Sequence, residues 1–284
     1  MSEPPHPEEA AVAWRSAPWG RLRHTLVEHT LAVVCRTVSG RPLRVLDVGC
    51  GDGSDAVALA HGGAEVTALD SAPLVLERAR AAAHRAGVAE RVRTVEADLG
   101  DVVALTALTG GGGGTFDLVL CHDVLQHRPG AGSSADLAAD VAALASRVRP
   151  GGCLSVLGPG SAAAALRAAV REDDLRGARR LLAGEGPAGE DAGAPLPADR
   201  VEEALAAAGT PVEFRFGVRV VTDLLPDARK GERGYYEDLL ELERALCERP
   251  ELVAVARSWQ LVGRRRPPRR RAGTGGRLAT LPGC

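Results

Sequence analysis

The sequence predicts an α/β protein, a doubly wound, Rossmann-like seven-stranded sheet with an antiparallel edge addition, and three observations predict it. Short apolar runs at 43–48, 64–70, 91–97, 116–122 and 153–158 alternate with stretches of helical period, the rhythm of a parallel sheet covered by helices on both faces. The loop DVGCGDG (47–53) joins the first run directly to a helical pattern, as strand-to-helix turns at the carboxyl edge of such sheets do. Two late strand-like runs, VEFRFGVRVV (212–221) and SWQLVG (258–263), are joined by a helical excursion, which suits an antiparallel addition at one edge.

The elements follow in order. A helical stretch runs from about Arg21 to Val38, ahead of the first strand at 43–48 and a helix from Ser54 to about His61. AEVTALD (64–70) is the second strand, and a helix from Pro73 to Ala86 follows, with proline in its first turn and Gly87 after its end. Residues 91–97 form the third strand and 99–108 a short helix, followed by the five-glycine loop TGGGGGT. FDLVLCH (116–122) is the fourth strand, Ser134 to Val148 a helix, and RPGG a turn into the fifth strand CLSVLG (153–158).

Beyond Gly160 the rhythm changes. Residues 161–183 read as an alanine- and arginine-rich helical segment, and GEGPAGEDAGAPLP (184–197) as a linker. Asp199 followed by Glu202 predicts a capped helix ending at Gly209. YYEDLLELERALCE (235–248) is helical. Residues 1–13 and 265–284 read as disordered tails, since they offer little to bury.

Bulk properties bound the function. In 284 residues, 45% of them hydrophobic, there is ample material for a core. A formal net charge of −2 gives no general field for nucleic acid or anionic membrane, so any polyanion must meet a local patch. Lys230 is the single lysine, and the six cysteines (35, 50, 121, 153, 247, 284) are scattered without a CxxC pair or a zinc-like spacing. No metal is expected. The acidic, proline-rich start lacks the pattern of a signal peptide, and no apolar stretch approaches the ~20 residues of a membrane span. A cytoplasmic protein is the expectation.

Chemistry concentrates at predicted strand ends. The glycine loop departs from GxGxxG, because Ser54 stands where the third glycine would be. Asp47, inside the end of the first strand, would repel a pyrophosphate and suits a cationic or zwitterionic ligand. Asp70 ends the second strand, placed to accept from ribose hydroxyls. Asp98, in EADLG after the third, can accept from an adenine amino group while the Leu99 amide meets a ring nitrogen. Either acid can instead be a helix cap. His122 closes the fourth strand in LCHDVLQH, with Asp123 and His127 as weaker candidates.

This set, with RPGG before the fifth strand, resembles the class I S-adenosylmethionine-dependent methyltransferases over roughly residues 40–160. The resemblance implies S-adenosylmethionine as cofactor, its amino acid end lying against the backbone of Gly49, Cys50 and Gly51. GVRV, LLELE followed by a cysteine, and GRLRHTLVEHTL (20–31) extend the likeness from about Gly20 to Arg265, and are similar to the bacterial tRNA 5-carboxymethoxyuridine methyltransferase family. That family esterifies the carboxylate of a modified wobble uridine. The likeness implies that Arg23 meets the cofactor carboxylate, with Gly49, Cys50, Asp70, Leu99 and His122 at the cofactor, and that residues 14–264 form the methyltransferase domain, its substrate side at about 161–264.

A carboxylate acceptor is already ionised and nucleophilic, so alignment and water exclusion suffice and no general base or catalytic triad is expected. No catalytic residue is assigned. Arg15, Arg21 or Arg219 could grip the acceptor carboxylate, and Trp14, Trp19, Tyr235 and Tyr236 could stack on a base, with packing as the default role of each aromatic. Arg167, Arg171, Arg176, Arg179 and Arg180 occupy the stretch that is basic in the family, interrupted by Glu172, Asp173 and Asp174, and arginines at 264–266 and 269–271 could meet phosphates. The partner expected is tRNA, with a small-molecule acceptor, and a cofactor- or RNA-binding module without turnover, as the alternatives.

Overall fold

The computed structural model describes residues 17–40, 42–101, 114–128, 133–185 and 196–267. Its strands and helices, in chain order, are α1 (Pro18–Thr37), β1 (Arg44–Val48), α2 (Ser54–His61), β2 (Glu65–Asp70), α3 (Pro73–Arg85), β3 (Val92–Glu96), β4 (Phe116–His122), α4 (Ser134–Arg147) and β5 (Val148–Pro159). There follow α5 (Ala163–Arg171), α6 (Leu175–Leu182), α7 (Ala198–Ala207), β6 (Val212–Val218), α8 (Arg233–Cys247) and β7 (Ser258–Arg264).

The seven strands form one sheet in the order β3-β2-β1-β4-β5-β7-β6. The first five are parallel, and β7 is antiparallel to both β5 and β6. The chain winds outward from β1 to β3, then returns to start again at β4, so the order reverses between β1 and β4. A crevice at the carboxyl ends of those two strands is where ligands bind in open α/β sheets, and it receives the glycine loop from β1 and His122 from β4.

Period two sorts each strand between two cores. On β4, Leu118 and Leu120 join the core under α1, α2 and α3, while Val119 and Cys121 face the core under α4 and α7. The whole of β4 is buried, as expected of a central parallel strand.

The structure departs from the sequence reading in four places. RPGG is not a turn ahead of β5 but lies within it, with a register shift opposite Phe116 and Leu118. A side chain at Gly152 would stand 2.7 Å from the Asp117 carbonyl, and Gly151 is left-handed at φ 80°, so the glycines serve a bulge. The predicted helix at 99–108 is a single 3₁₀ turn, Leu99–Asp101, with its remainder and most of the five-glycine loop outside the described residues. The 161–183 segment is two helices, with Asp173 left-handed between them and the Asp174 carboxylate accepting from the Gly177 amide at 2.7 Å. Asp199 does not cap α7, which starts behind Pro197 without a side-chain cap, and Glu202 pairs with Arg215 instead.

Candidate functional site

Three left-handed glycines shape the loop after β1, with φ of 70° at Gly49, 55° at Gly51 and 81° at Gly53, a conformation glycine adopts without the Cβ penalty. The amides of Gly49 and Cys50 both donate to the Leu69 carbonyl, at 2.8 and 2.9 Å, which ties the loop to β2. The reasons for the missing side chains differ. A methyl group at Gly49 would lie 2.3 Å from Val124 Cγ2, and one at Gly53 2.9 Å from Ala79 Cβ, whereas one at Gly51 meets nothing within 4 Å. Chain packing therefore accounts for two of the glycines, and Gly51 is the one whose backbone borders open space. Burial, aided by Asp47, pushes the Cys50 thiol far up, so it is an inert part of the wall.

Four acids surround this loop. Asp47 sits on the α1–α3 face of β1, buried, with Oδ2 bonded to no described residue. Burial, then the charges of Asp55, Asp70 and Asp52, push its carboxyl well above the usual range. Asp70 accepts from the Gly51 amide at 3.2 Å through Oδ2 and from the Ala72 amide at 3.0 Å through Oδ1. Asp70 thus ties together the turns that follow the neighbouring strands β1 and β2.

His122 stands beside them, with Nδ1 2.8 Å from Asp55 Oδ2 and Nε2 2.9 Å from Ser155 Oγ. Gln260 Nε2 donates to that same hydroxyl at 2.9 Å, and Gln260 Oε1 accepts from Thr30 Oγ1 at 2.6 Å. The Ser155 hydroxyl hydrogen is then free to go to His122 Nε2, which assigns the ring hydrogen to Nδ1, donated to Asp55. Both imidazole nitrogens are consequently used within the chain. Burial would raise the Asp55 carboxyl, but its bond to His122 and the Arg23 charge bring it below the ordinary range.

From α1, Arg23 reaches the same end of the sheet and pairs with Asp123, a left-handed residue at φ 56°. Next to it, both ring nitrogens of His24 are buried with no partner among the described residues. Burial and the neighbouring Arg23 charge hold His24 below its usual pKa. Beyond β3, Asp98 Oδ1 accepts from the Gly100 amide at 2.8 Å and from Arg128 Nη1 at 2.6 Å. The Gly100 bond and the Arg128 guanidinium keep this carboxyl below its ordinary range. Leu99 is buried directly behind it.

The crevice thus brings Asp47, Gly49, Cys50, Gly51, Asp70, His122 and Arg23 together around the β1–β4 switch point, with Asp98 and Leu99 at the end of β3. Asp55, His24, Ser155, Gln260 and Arg128 belong with them and were not singled out from sequence. Asp55 carried a usable signal, an acid in the first turn after a glycine loop. The others lie on α1, β5, β7 and the turn after β4, where only the fold makes them neighbours.

Several acceptor-side candidates are otherwise engaged. Arg21 lies over the Tyr236 ring at 5.2 Å, Arg229 over Tyr235 at 4.5 Å, and buried Arg219 pairs with Asp223. Arg15 and Trp14 fall outside the described residues. Arg264 pairs with Glu213, and Arg265 donates to the Ala145 and Ser146 carbonyls at 3.0 Å, so these two members of the late arginine run hold the fold. Among the described residues no cluster of histidine, cysteine and acids suits a metal, and no helix is long and apolar enough to cross a membrane.

A buried carboxyl oxygen with no partner among the described residues, ringed by further acids, calls for a cation. Open backbone at Gly51 leaves room for it, and Arg23 beside that acid set suits a carboxylate on the same ligand. The donor set therefore fits a ligand carrying an ammonium, a sulfonium and a carboxylate, and the fold is that of enzymes that use one. Residues 45–152 match the family model described as a methyltransferase domain. The chain is a class I S-adenosylmethionine-dependent methyltransferase, with S-adenosylmethionine as its cofactor.

Particular relatives narrow the comparison. The chain is 28% identical to the tRNA 5-carboxymethoxyuridine methyltransferase of Escherichia coli, over 87% of this chain and 89% of that enzyme. It is 38% identical to the ubiquinone biosynthesis O-methyltransferase of Xanthomonas axonopodis pv. citri over 133 residues, 46% of this chain and 49% of the relative. Magnesium protoporphyrin IX methyltransferase from Synechocystis, solved with bound S-adenosylhomocysteine, superposes with a TM-score of 0.54 at 18% identity, covering 93% of this chain and 90% of that one.

Proposed function

We propose that the enzyme methylates the carboxylate of a 5-carboxymethoxyuridine-type wobble nucleotide in tRNA. The observation that carries this reading is the extent of the tRNA enzyme likeness, 87% of the chain, which reaches well beyond the cofactor half. A likeness confined to the cofactor half would speak only for a shared cofactor.

In this reading Asp47, with the backbone of Gly49, Cys50 and Gly51, receives the amino acid end of the cofactor, and Arg23 its carboxylate. Asp70 accepts from the ribose hydroxyls, Asp98 and the Leu99 amide meet the adenine, and His122 fixes Asp55 and closes the floor of the site. S-adenosylmethionine, when bound, supplies a methyl group activated by its sulfonium. The chain aligns an acceptor that is already nucleophilic and keeps water away, so no side chain has to take a proton. Residues 14–264 form the methyltransferase domain, with about 40–160 holding the cofactor and about 161–264 facing the acceptor, in a cytoplasmic enzyme.

The test is methyl transfer from labelled S-adenosylmethionine to total tRNA from a strain lacking this protein, followed by nucleoside mass spectrometry. A new methyl ester on a wobble uridine is the expected product. A small-molecule acceptor is the second reading, favoured by the internal use of basic residues: Arg167 pairs with Glu172 at 3.1 Å and Arg171 with Asp227 at 3.0 Å. No transfer to tRNA by an enzyme shown to bind its cofactor, alongside a working control enzyme, selects that reading.

A further inference from the structure

Arg128 stands between two acids from different parts of the fold. Its Nε and Nη2 reach Asp140 of α4 at 3.2 and 3.4 Å, a two-point fork, and its Nη1 reaches Asp98 at 2.6 Å. The forked pair fixes the plane of the guanidinium, so the third bond is aimed by Asp140 rather than left to a flexible side chain. Asp98 is otherwise an exposed residue, its side chain 53% accessible against 20% for Arg128. An exposed aspartate normally samples several rotamers. Here the Gly100 amide and Arg128 both land on Oδ1, and no described residue bonds Oδ2.

We propose that Arg128 is a positioning residue for adenine recognition, clamping Asp98 Oδ1 so that Oδ2 is presented to the exocyclic amino group of the cofactor. The inference rests on the assignment of Asp98 to the adenine. One guanidinium between two carboxylates leaves a net negative charge, so the free oxygen remains a strong acceptor, and the clamp removes the rotamer freedom that Asp98 would otherwise lose on binding. Gly100 belongs to the same device. A methyl group there would lie 3.3 Å from Asp98 Oδ1 and 4.0 Å from Arg128 Nη2, crowding the shared oxygen.

The experiment is calorimetric titration of S-adenosylhomocysteine and of its 6-desamino analogue, which carries purine in place of adenine and differs by that amino group alone. Wild type, Arg128→Ala, Arg128→Lys and Asp98→Ala are compared, each with a thermal melt to verify the fold. Wild type is expected to prefer the adenine ligand about tenfold or more, the effect of one hydrogen bond to a charged acceptor. Both Arg128 variants reduce that preference to about threefold or less with little change in affinity for the desamino ligand, since lysine keeps the charge but cannot bridge both acids. Should Arg128→Ala fold poorly, Arg128→Lys carries the test.

Arg128 variants that keep the wild-type ratio while Asp98→Ala loses it would overturn the positioning role and leave the adenine assignment standing. An Asp98→Ala protein that keeps the ratio overturns the assignment itself, and the inference with it.

Discussion

Gln260 of β7 and Thr30 of α1, 230 residues apart in sequence, share a buried hydrogen bond of 2.6 Å that ends a polar chain beginning at Asp55. Gln260, Ser155 and His122 occupy one face of three adjacent strands, β7, β5 and β4, and each hands its hydrogen bond to the next. The chain crosses the sheet beneath α1 and fastens that helix, which carries Arg23, to the cofactor end of β4.

Gln260→Leu removes one link, taking from Ser155 its donor and leaving the Thr30 hydroxyl with only the Val27 carbonyl, 2.9 Å away, as acceptor. A loss of ~1–3 kcal/mol is expected, the cost of an unsatisfied buried polar group, seen as a lower melting temperature. Adding Thr30→Val should recover part of it, because replacing both partners by apolar groups is far less costly than replacing one. Equal melting temperatures for wild type and Gln260→Leu would show that the chain does not stabilise the helix.

The glycine loop gives a contrast between two neighbouring positions. Gly49→Ala drives a methyl group into Val124 and forces a left-handed alanine, so a loss of ~2–4 kcal/mol in stability is expected from overpacking and backbone strain together. Gly51→Ala meets no atom within 4 Å and carries only the ~1–2 kcal/mol of the left-handed conformation, but it intrudes on the space assigned to the cofactor. The stability defect of Gly49→Ala is relieved in part by Val124→Ala, whereas the binding defect of Gly51→Ala is not. Chemical denaturation and cofactor titration of the four proteins separate the two.

How much of this was legible depends on the range of the interactions. Strand and helix limits fell within a residue or two where local period and punctuation decide them, as at Ser54–His61 and Phe116–His122. The placement of Asp47, Asp70 and Asp98 at the carboxyl edge of the sheet was legible because each lies within two residues of a strand end. Arg128 was not, since its meaning depends on Asp98 and Asp140, 30 residues before it and 12 after it. Asp199 and Glu202 matched a local capping pattern, yet Pro197 started the helix earlier and the tertiary partner Arg215 took Glu202. The late arginine run looked uniform, and only the fold shows that Arg264 and Arg265 bond their own chain.

Asp47 predicts a pH dependence. Its folded pKa is raised above its ordinary value of 3.8, so the folded state holds a proton that the unfolded chain releases. The associated stability is fully present below about pH 4 and is lost as pH rises toward the folded pKa. Asp47→Asn has no such proton, so its melting temperature should exceed that of the wild type by more at pH 8 than at pH 5. Asp55 shifts the opposite way, its depressed pKa giving stability that is lost only on acidification, below the pH 5 to 8 range compared. S-adenosylmethionine brings a cation toward Asp47, so the rise in melting temperature that it produces in the wild type should grow with pH and be largely absent in Asp47→Asn. A constant difference between the two proteins across this range would remove the buried-acid account.

Arg265 tests the division of the arginine run. Its Nη1 donates to the carbonyls of Ala145 and Ser146 at 3.0 Å, and also to that of Val148 at the start of β5, around the helix end where intrahelical donors run out and where Ala145 accepts otherwise only from the Val148 amide. Arg265→Ala should therefore lower stability by ~1–2 kcal/mol and leave the salt dependence of any RNA affinity unchanged. Each phosphate contact contributes about 0.7–0.9 to the slope of log affinity against log salt, so a residue occupied with α4 carbonyls adds nothing to it. Removing residues 268–284 makes the complementary measurement: the melting temperature should hold, and a slope reduced by about two to three would assign phosphate contacts to the four arginines removed, Arg269, Arg270, Arg271 and Arg277. A slope that falls with Arg265→Ala at unchanged stability would reverse the division, placing the RNA contact on the folded side of the run.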